Sequence, residues 1–209
     1  MKKMNLIFDL DGTLWDCTET ICLAWQELLN DYRPVSLEEI KNVMGKTGEE
    51  IMFLLFPNLN NEEQKKLLTR LEENELVWIS KIGAHIYPNV EETIKELSKE
   101  YNLYIVSNCQ KGYIESFLNY YKLNDYFIDI ESNGNSGQPK PINIKLIMER
   151  NNITDAIYIG DTYKDYLATT ENNLPFIFSS YGFDTYRPEY KYKIDSITEL
   201  KDTLKEIIK

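Results

Sequence analysis

Asp9 and Asp11 close a short apolar run, Leu6-Ile7-Phe8, and are followed by Gly12 and Thr13. Side chains alternate along an extended chain, so residues two apart leave it in the same direction. Two carboxylates held that close repel each other and stay ionised only beside a cation. The pair points to a hard divalent metal such as Mg²⁺, which takes oxygen ligands. The same residues admit a plainer reading, because Asp-Gly between apolar runs is a hairpin signal. Gly160-Asp161-Thr162-Tyr163-Lys164-Asp165 is a second acidic group. Thr162-x-x-Asp165 serves as a helix capping box. Asp161 at a strand end and Asp165 on the first helical turn also suit the same metal. Ser107-Asn108 ends another apolar run, and such residues are common wherever a strand turns into a helix. Lys140 stands between Pro139 and Pro141, whose rings stiffen the backbone around it. A lysine is ordinarily solvated, yet one held this stiffly suits a fixed cation.

Other chemistries lack their parts. His85 is the single histidine and reads as a hinge or packing residue. Serine-hydrolase and zinc readings have no base or ligand set. Gly45-Lys46-Thr47 imitates a phosphate-binding loop, but that loop needs a glycine five residues earlier, after a strand. Ile40 occupies the position, inside a helical pattern.

The elements that must position these residues follow from periodicity. Residues 4–10 read as a buried strand. From about 17 to 83 the pattern is helical, with capping boxes at Ser36-x-x-Glu39 and Thr47-x-x-Glu50 and no convincing strand. Beyond Tyr87-Pro88-Asn89, helices at about 89–100, 111–121, 142–151 and 163–172 alternate with apolar runs. Those runs are Leu103–Val106, Phe127–Ile130, Ala156–Ile159 and Pro175–Phe178. Ser196-x-x-Glu199 caps a last helix, and a glycine-rich loop spans 133–137. Short apolar runs alternating with helices predict a doubly wound parallel α/β sheet. An insert of about 70 residues is too long for a loop in a compact domain. We therefore expect an α/β core from residues 1–14 and 86–209, and a smaller helical domain from 15–85. Ligands bind beyond the carboxyl ends of such strands, which is where the four aspartates, Ser107, Asn108 and Lys140 fall.

The chain has 23 basic and 34 acidic residues, a net charge of −11. That balance gives no long-range attraction to nucleic acid or anionic membranes. No apolar run approaches the about 20 residues of a membrane span. The start, Met1-Lys2-Lys3-Met4, meets Asp9 too soon for a leader's apolar stretch. Three cysteines make no disulfide framework and fit a reducing compartment, so we expect a cytoplasmic protein. Its oligomeric state cannot be read from the sequence.

Taken in order, Asp9-x-Asp11-Gly12-Thr13, Ser107-Asn108, Lys140 and Gly160-Asp161-x-x-x-Asp165 resemble the four-motif signature of the haloacid dehalogenase superfamily. The helical insert after the first motif is similar to the C1-type cap of its phosphoglycolate phosphatase-like branch. The resemblance covers essentially the whole chain. The third motif departs from the common Gly-Lys-Pro, reading Gln138-Pro139-Lys140-Pro141. The resemblance implies a Rossmann-like core with a helical cap and a Mg²⁺-dependent phosphatase acting on a small phosphorylated metabolite. It implies Asp9 as nucleophile, forming an aspartyl-phosphate, and Asp11 as general acid and then base. Mg²⁺ would be held by the Asp9 carboxylate, the Asp11 main-chain carbonyl and Asp161, with Asp165 as ligand or support. Ser107, the Asn108 backbone and Lys140 would bind the phosphoryl group. Lys46 is the candidate cap contact to substrate, against the alternative of a solvated lysine.

Relatives with other chemistries sort by residue. Haloacid dehalogenases and phosphonoacetaldehyde hydrolase lack the second aspartate of motif one, present here as Asp11. Sugar phosphomutases keep it, but they usually follow Asp-Gly with a β-branched apolar residue where this chain has Thr13. Response-regulator receivers, which accept phosphate without turnover, have no helical insert after the first strand.

Overall fold

Asn5–Phe8 (β1) is buried at every residue in the middle of the main sheet. The computed structural model describes residues 3–29, 32–186 and 188–208. Met1 and Lys2, on which the leader reading partly rests, lie outside them, as do residues 30, 31, 187 and 209 of the expected domains.

The insert comes next. Trp15–Asp16 (β2) leads into four helices, Thr18–Leu28 (α1), Leu37–Val43 (α2), Gly48–Leu55 (α3) and Asn61–Ile82 (α4), and His85–Ile86 (β3) leads out. The capping boxes Ser36–Glu39 and Thr47–Glu50 form as expected, and Asn60–Glu63 makes a third at the start of α4. Each satisfies N–H groups that a helix start leaves unpaired.

The remaining strands are Asn102–Ser107 (β4), Phe127–Ser132 (β5), Ala156–Gly160 (β6), Phe176–Ser179 (β7) and Lys193–Ile194 (β8). The helices among and after them are Val90–Glu100 (α5), Tyr113–Tyr121 (α6), Asn133–Ser136 (α7), Lys140–Arg150 (α8), Tyr163–Glu171 (α9) and Leu200–Ile207 (α10). The main sheet runs β5-β4-β1-β6-β7-β8, with every pairing parallel. Helices cover both faces, so the strands are apolar on both sides. Leu6 and Phe8 face one core cluster while Ile7 faces the other. The sheet is thus the expected doubly wound α/β fold, and a helical cap follows its first strand.

Locally, one alternative falls away, three short strands are unforeseen and two expectations need correction. The Asp11-Gly12 turn makes no hairpin, because β1 pairs with β4 and β6 and β2 pairs antiparallel with β3. The β2–β3 ribbon and β8 escape sequence reading because two residues are too few to show alternation. Part of the glycine-rich 133–137 loop is the helical turn α7, whose start Ser132 caps by accepting from the Asn135 N–H. Ser196 opens a 3₁₀ turn, Ile197–Glu199, and the last helix starts after it. Among the described residues no helix is long and apolar enough to cross a membrane.

Candidate active site

The chain leaves β1 for the β4–β5 side of the sheet and later returns to the β6–β7–β8 side. The carboxyl end of β1 is therefore the topological switch point, where open α/β sheets bind ligands. Asp9 follows β1 directly, and its N–H donates to the Ile159 carbonyl at 2.8 Å. Ser107 ends β4, and Asp161 follows β6. Lys140 begins α8, with Pro139 extended before it and Pro141 in the first turn, where a missing N–H costs nothing. All seven residues expected at this edge come together there, and Lys140 is buried rather than solvated.

Lys140 Nζ lies 2.9 Å from Asp9 Oδ1 and 2.5 Å from Asp165 Oδ1. The other Asp165 oxygen, Oδ2, accepts from the Thr162 N–H at 3.0 Å and its hydroxyl at 2.7 Å. Asp165 thus closes the capping box and also lies in the buried aspartate cluster. Asp161 Oδ2 accepts from the Phe183 N–H at 2.7 Å, while Oδ1 is buried with no hydrogen-bond partner among the described residues. Oxygens of Asp9, Asp161 and Asp165 lie within 4.8 Å of one another. Burial, then Asp165, push the Asp9 carboxyl up to about 7 against the pull of Lys140. Burial and the other two aspartates raise Asp161 as well. The Lys140 ammonium is held above its usual range despite burial, by Asp165 and Asp9.

These observations test the fit of a divalent cation. Lys140 offsets one of three buried carboxylate charges, and one buried oxygen of Asp161 lacks a donor. Hard oxygen ligands with an excess of negative charge suit Mg²⁺.

Asp11 stands apart from this cluster. Its Oδ1 accepts from Trp15 Nε1 at 2.9 Å and from the Tyr113 hydroxyl at 3.0 Å. Burial first, then Asp9, push its carboxyl up to about 8, with Glu75 adding a smaller push. Its side chain is not among the three carboxylates close enough to share a metal, which fits the main-chain part that the resemblance implies. Gly12 makes the turn between the two roles. Its φ is +79°, and a Cβ there would meet Asp161 Oδ2 at 2.1 Å, so no side chain fits.

Sequence reading missed Trp15, Tyr113 and the segment after β7. Tyr181 donates to the Thr13 carbonyl at 3.0 Å, and a Cβ on Gly182 would meet Asp161 Cβ at 2.3 Å. A usable signal was present there, since Tyr181-Gly182 follows a strand end and a glycine marks close backbone approach. Trp15 and Tyr113 gave none, because both read as core aromatics.

One cavity joins this edge to the insert. Asp9, Asp11, Ser107 and Lys140 line its floor, and α1–α4 with the loop at Gly45-Lys46 line its roof. Asn108 Nδ2 donates to the Gly45 carbonyl at 3.1 Å. Lys46, the candidate cap contact, borders the cavity.

The sequence profile of the family described as haloacid dehalogenase-like hydrolase matches residues 6–179. The chain is 26% identical to a phosphoglycolate phosphatase of Vibrio vulnificus, over 97% of both chains. The fold is similar to a haloacid dehalogenase-like hydrolase from Bacteroides fragilis, with a TM-score of 0.84 and 22% identity over 95% of this chain and 100% of that one. It is also similar to a protein of Clostridium acetobutylicum described as a predicted phosphatase, with a TM-score of 0.80 and 26% identity over 99% and 100% of the two chains.

Proposed function

The chain belongs to the haloacid dehalogenase-like hydrolases, and from that membership we propose a Mg²⁺-dependent phosphomonoester hydrolase working through an aspartyl-phosphate. The observation that carries this reading is the division between two neighbouring aspartates. Asp9 lies beside Lys140 and among the groups that fit a cation, while Asp11 lies outside them, held by Trp15 and Tyr113 and pushed up to about 8. A carboxylate beside a cation suits the nucleophile's part, and a buried one held apart suits the acid's.

In the first step an Asp9 oxygen attacks phosphorus, the bond to the leaving oxygen breaks, and the Asp11 proton passes to that oxygen. In the second, water attacks the same phosphorus and gives its proton to Asp11. The bond to Asp9 breaks, and inorganic phosphate and the Asp9 carboxylate are restored. Splitting the hydrolysis in two replaces one difficult displacement by two easier ones. Lys140 offsets charge on Asp9 and on the phosphoryl oxygens, and Ser107 and the Asn108 backbone bind those oxygens. Asp9, Asp161 and the Asp11 carbonyl would hold Mg²⁺, supported by Asp165, whose oxygens already bind Lys140 and Thr162. When bound, the metal supplies charge neutralisation for an anion meeting an anion.

We assign residues 15–85 to the cap, based on the β2–β3 ribbon, and the substrate to small phosphorylated metabolites, with no nucleic-acid or membrane partner. The relatives named phosphoglycolate phosphatase support a small substrate. Three free cysteines suit a reducing, cytoplasmic setting. A panel of phosphomonoesters assayed with Mg²⁺ and with chelator tests the reading. We expect phosphate release that chelation abolishes and Mg²⁺ restores. Release of no phosphate from any ester, or release indifferent to chelation, would refute it.

A further inference from the structure

On the phosphatase reading the floor handles the phosphoryl group and, through Asp11, the leaving oxygen, so the rest of the leaving group falls to the roof. The roof is largely apolar, built by Ile21, Trp25, Ile40, Met44, Ile51 and Leu68. Two carboxylates interrupt it, Glu72 and Glu75, three apart on α4 and so on one helix face.

Glu75 is 6% exposed. Its Oε1 accepts from Trp25 Nε1 and its Oε2 from Gln110 Nε2, each at 2.5 Å. Both oxygens are therefore fixed as acceptors, and Glu75 stands near enough to Asp11 to act on its charge. Asp11 is the group that meets the leaving oxygen, so Glu75 flanks the start of the leaving group. Glu72 is half-buried and makes no hydrogen bond or ion pair among the described residues. A carboxylate in an apolar wall with no partner costs stability and is retained where a ligand completes it.

Among the described residues Lys46 is the one cation on the roof. It helps Lys164 and the Thr47 N–H hold the Glu50 carboxyl low against burial, so its charge acts on the rim. It plays no part at Glu72 or Glu75, where burial dominates and pushes both carboxyls up to about 7. The whole insert, with seven basic and thirteen acidic residues, has the same sign.

We propose that Glu72 and Glu75 select a phosphomonoester whose leaving group joins an apolar body to a protonated amine, and that they reject leaving groups carrying a carboxylate, such as 2-phosphoglycolate. This rests on the phosphatase reading and deepens it by naming the substrate class. An ammonium on the apolar body supplies the cation that Glu72 lacks. A carboxylate in the same place would meet like charge in a poorly solvated wall, where such contacts cost most.

The test uses the full-length wild-type enzyme with Mg²⁺ at pH 8 and short phosphomonoesters matched in length: aminoalkyl phosphates, alkyl phosphates and carboxyalkyl phosphates including 2-phosphoglycolate. p-Nitrophenyl phosphate is the control. We expect kcat/KM to fall in the order ammonium, neutral, carboxylate, by about tenfold or more from first to last. The ammonium-to-carboxylate ratio should shrink in Glu72→Gln and in Glu75→Gln. Because the ratio is taken within each variant, a general loss of activity cancels. Both glutamines keep the volume, and Glu72, which has no partner to lose, gives the second variant should Glu75→Gln fold poorly. A wild type that prefers the carboxylate while hydrolysing p-nitrophenyl phosphate would overturn this inference and leave the phosphatase standing. So would a ratio unchanged in Glu72→Gln. Failure to hydrolyse any ester, the control included, would overturn both.

Discussion

Asp9 and Asp11 are chemically identical side chains two residues apart, and the fold gives them different neighbours. Lys140 and two carboxylates surround one, while an indole N–H and a phenol hold the other. That Lys140, Asp161 and Asp165 come together was legible from the order and spacing of the motifs taken as a set, with Asp161 at a strand end, Asp165 on the helical turn after it and Lys140 between two prolines. The donors to Asp11 were not, since Tyr113 lies 102 residues away in sequence and only folding brings it there. The same limit hid Glu75, whose burial and place in a cavity wall only folding brings about. Glu75 has a consequence for stability. A carboxyl with an ordinary value near 4.3 that burial pushes up to about 7 holds its proton longer in the folded chain than in the unfolded one. Below about pH 4 both states are protonated and there is no difference. Between about 4 and 7 only the folded state binds the proton, so stability falls as pH rises. Glu75→Gln should therefore stabilise the protein by up to about 3 kcal/mol at pH 8 and hardly at all at pH 4. Urea unfolding at the two pH values measures this. An equal effect at both would mean that the variant changes packing rather than charge.

At the scale of elements, the insert after the first strand was legible as helical from its periodicity and capping boxes. The ribbon at its base was not, because Trp15–Asp16 and His85–Ile86 are too short to carry a pattern. The base is tightly built. Thr20 Oγ1 donates to the Gly83 carbonyl at 2.8 Å, and the Tyr121 hydroxyl bonds the Ala84 carbonyl. Gly83 ends α4 with φ +64° and ψ −146°, a region essentially reserved for glycine. A Cβ there would meet the Tyr120 ring at 2.3 Å. Gly83→Ala should cost about 1–3 kcal/mol of stability. It should also raise KM by shifting the roof relative to the floor, although Gly83 does not line the cavity. Denaturant unfolding with steady-state kinetics checks both, and an unchanged midpoint would show that the base tolerates the shift. The exposed cap–core pair Lys164–Glu50, at 2.7 Å, contributes less than about 1 kcal/mol and is not the main fastening.

At the scale of the molecule, a chain of net charge −11 works on phosphate dianions. On the proposed reading the cationic field is local, made by the buried Lys140 and by the divalent metal that the Asp9–Asp161–Asp165 cluster would hold, rather than by the surface. Metal binding to the folded state should therefore register as global stability. At free Mg²⁺ of about 10 to 100 times its Kd, linkage gives about 1.4–2.7 kcal/mol, or roughly 3–10 °C in Tm. Asp161→Asn should lose most of that increment, and a wild-type Tm indifferent to Mg²⁺ would contradict the assigned metal site. The claim that joins all three scales is that Asp9 and Asp11 take turns in a two-step hydrolysis. Asp11→Asn separates the steps, because nitrophenolate scarcely needs an acid to leave whereas water needs the base to attack. Mixing Asp11→Asn with p-nitrophenyl phosphate and Mg²⁺ should give a burst approaching one equivalent of nitrophenol. A steady rate lower by about 10²–10⁴ should follow, with the phosphoryl group found on Asp9 by mass spectrometry and no burst in Asp9→Asn. A variant that retains the Mg²⁺-dependent rise in Tm yet shows neither burst nor phospho-adduct would contradict the account and favour direct attack by water on the ester.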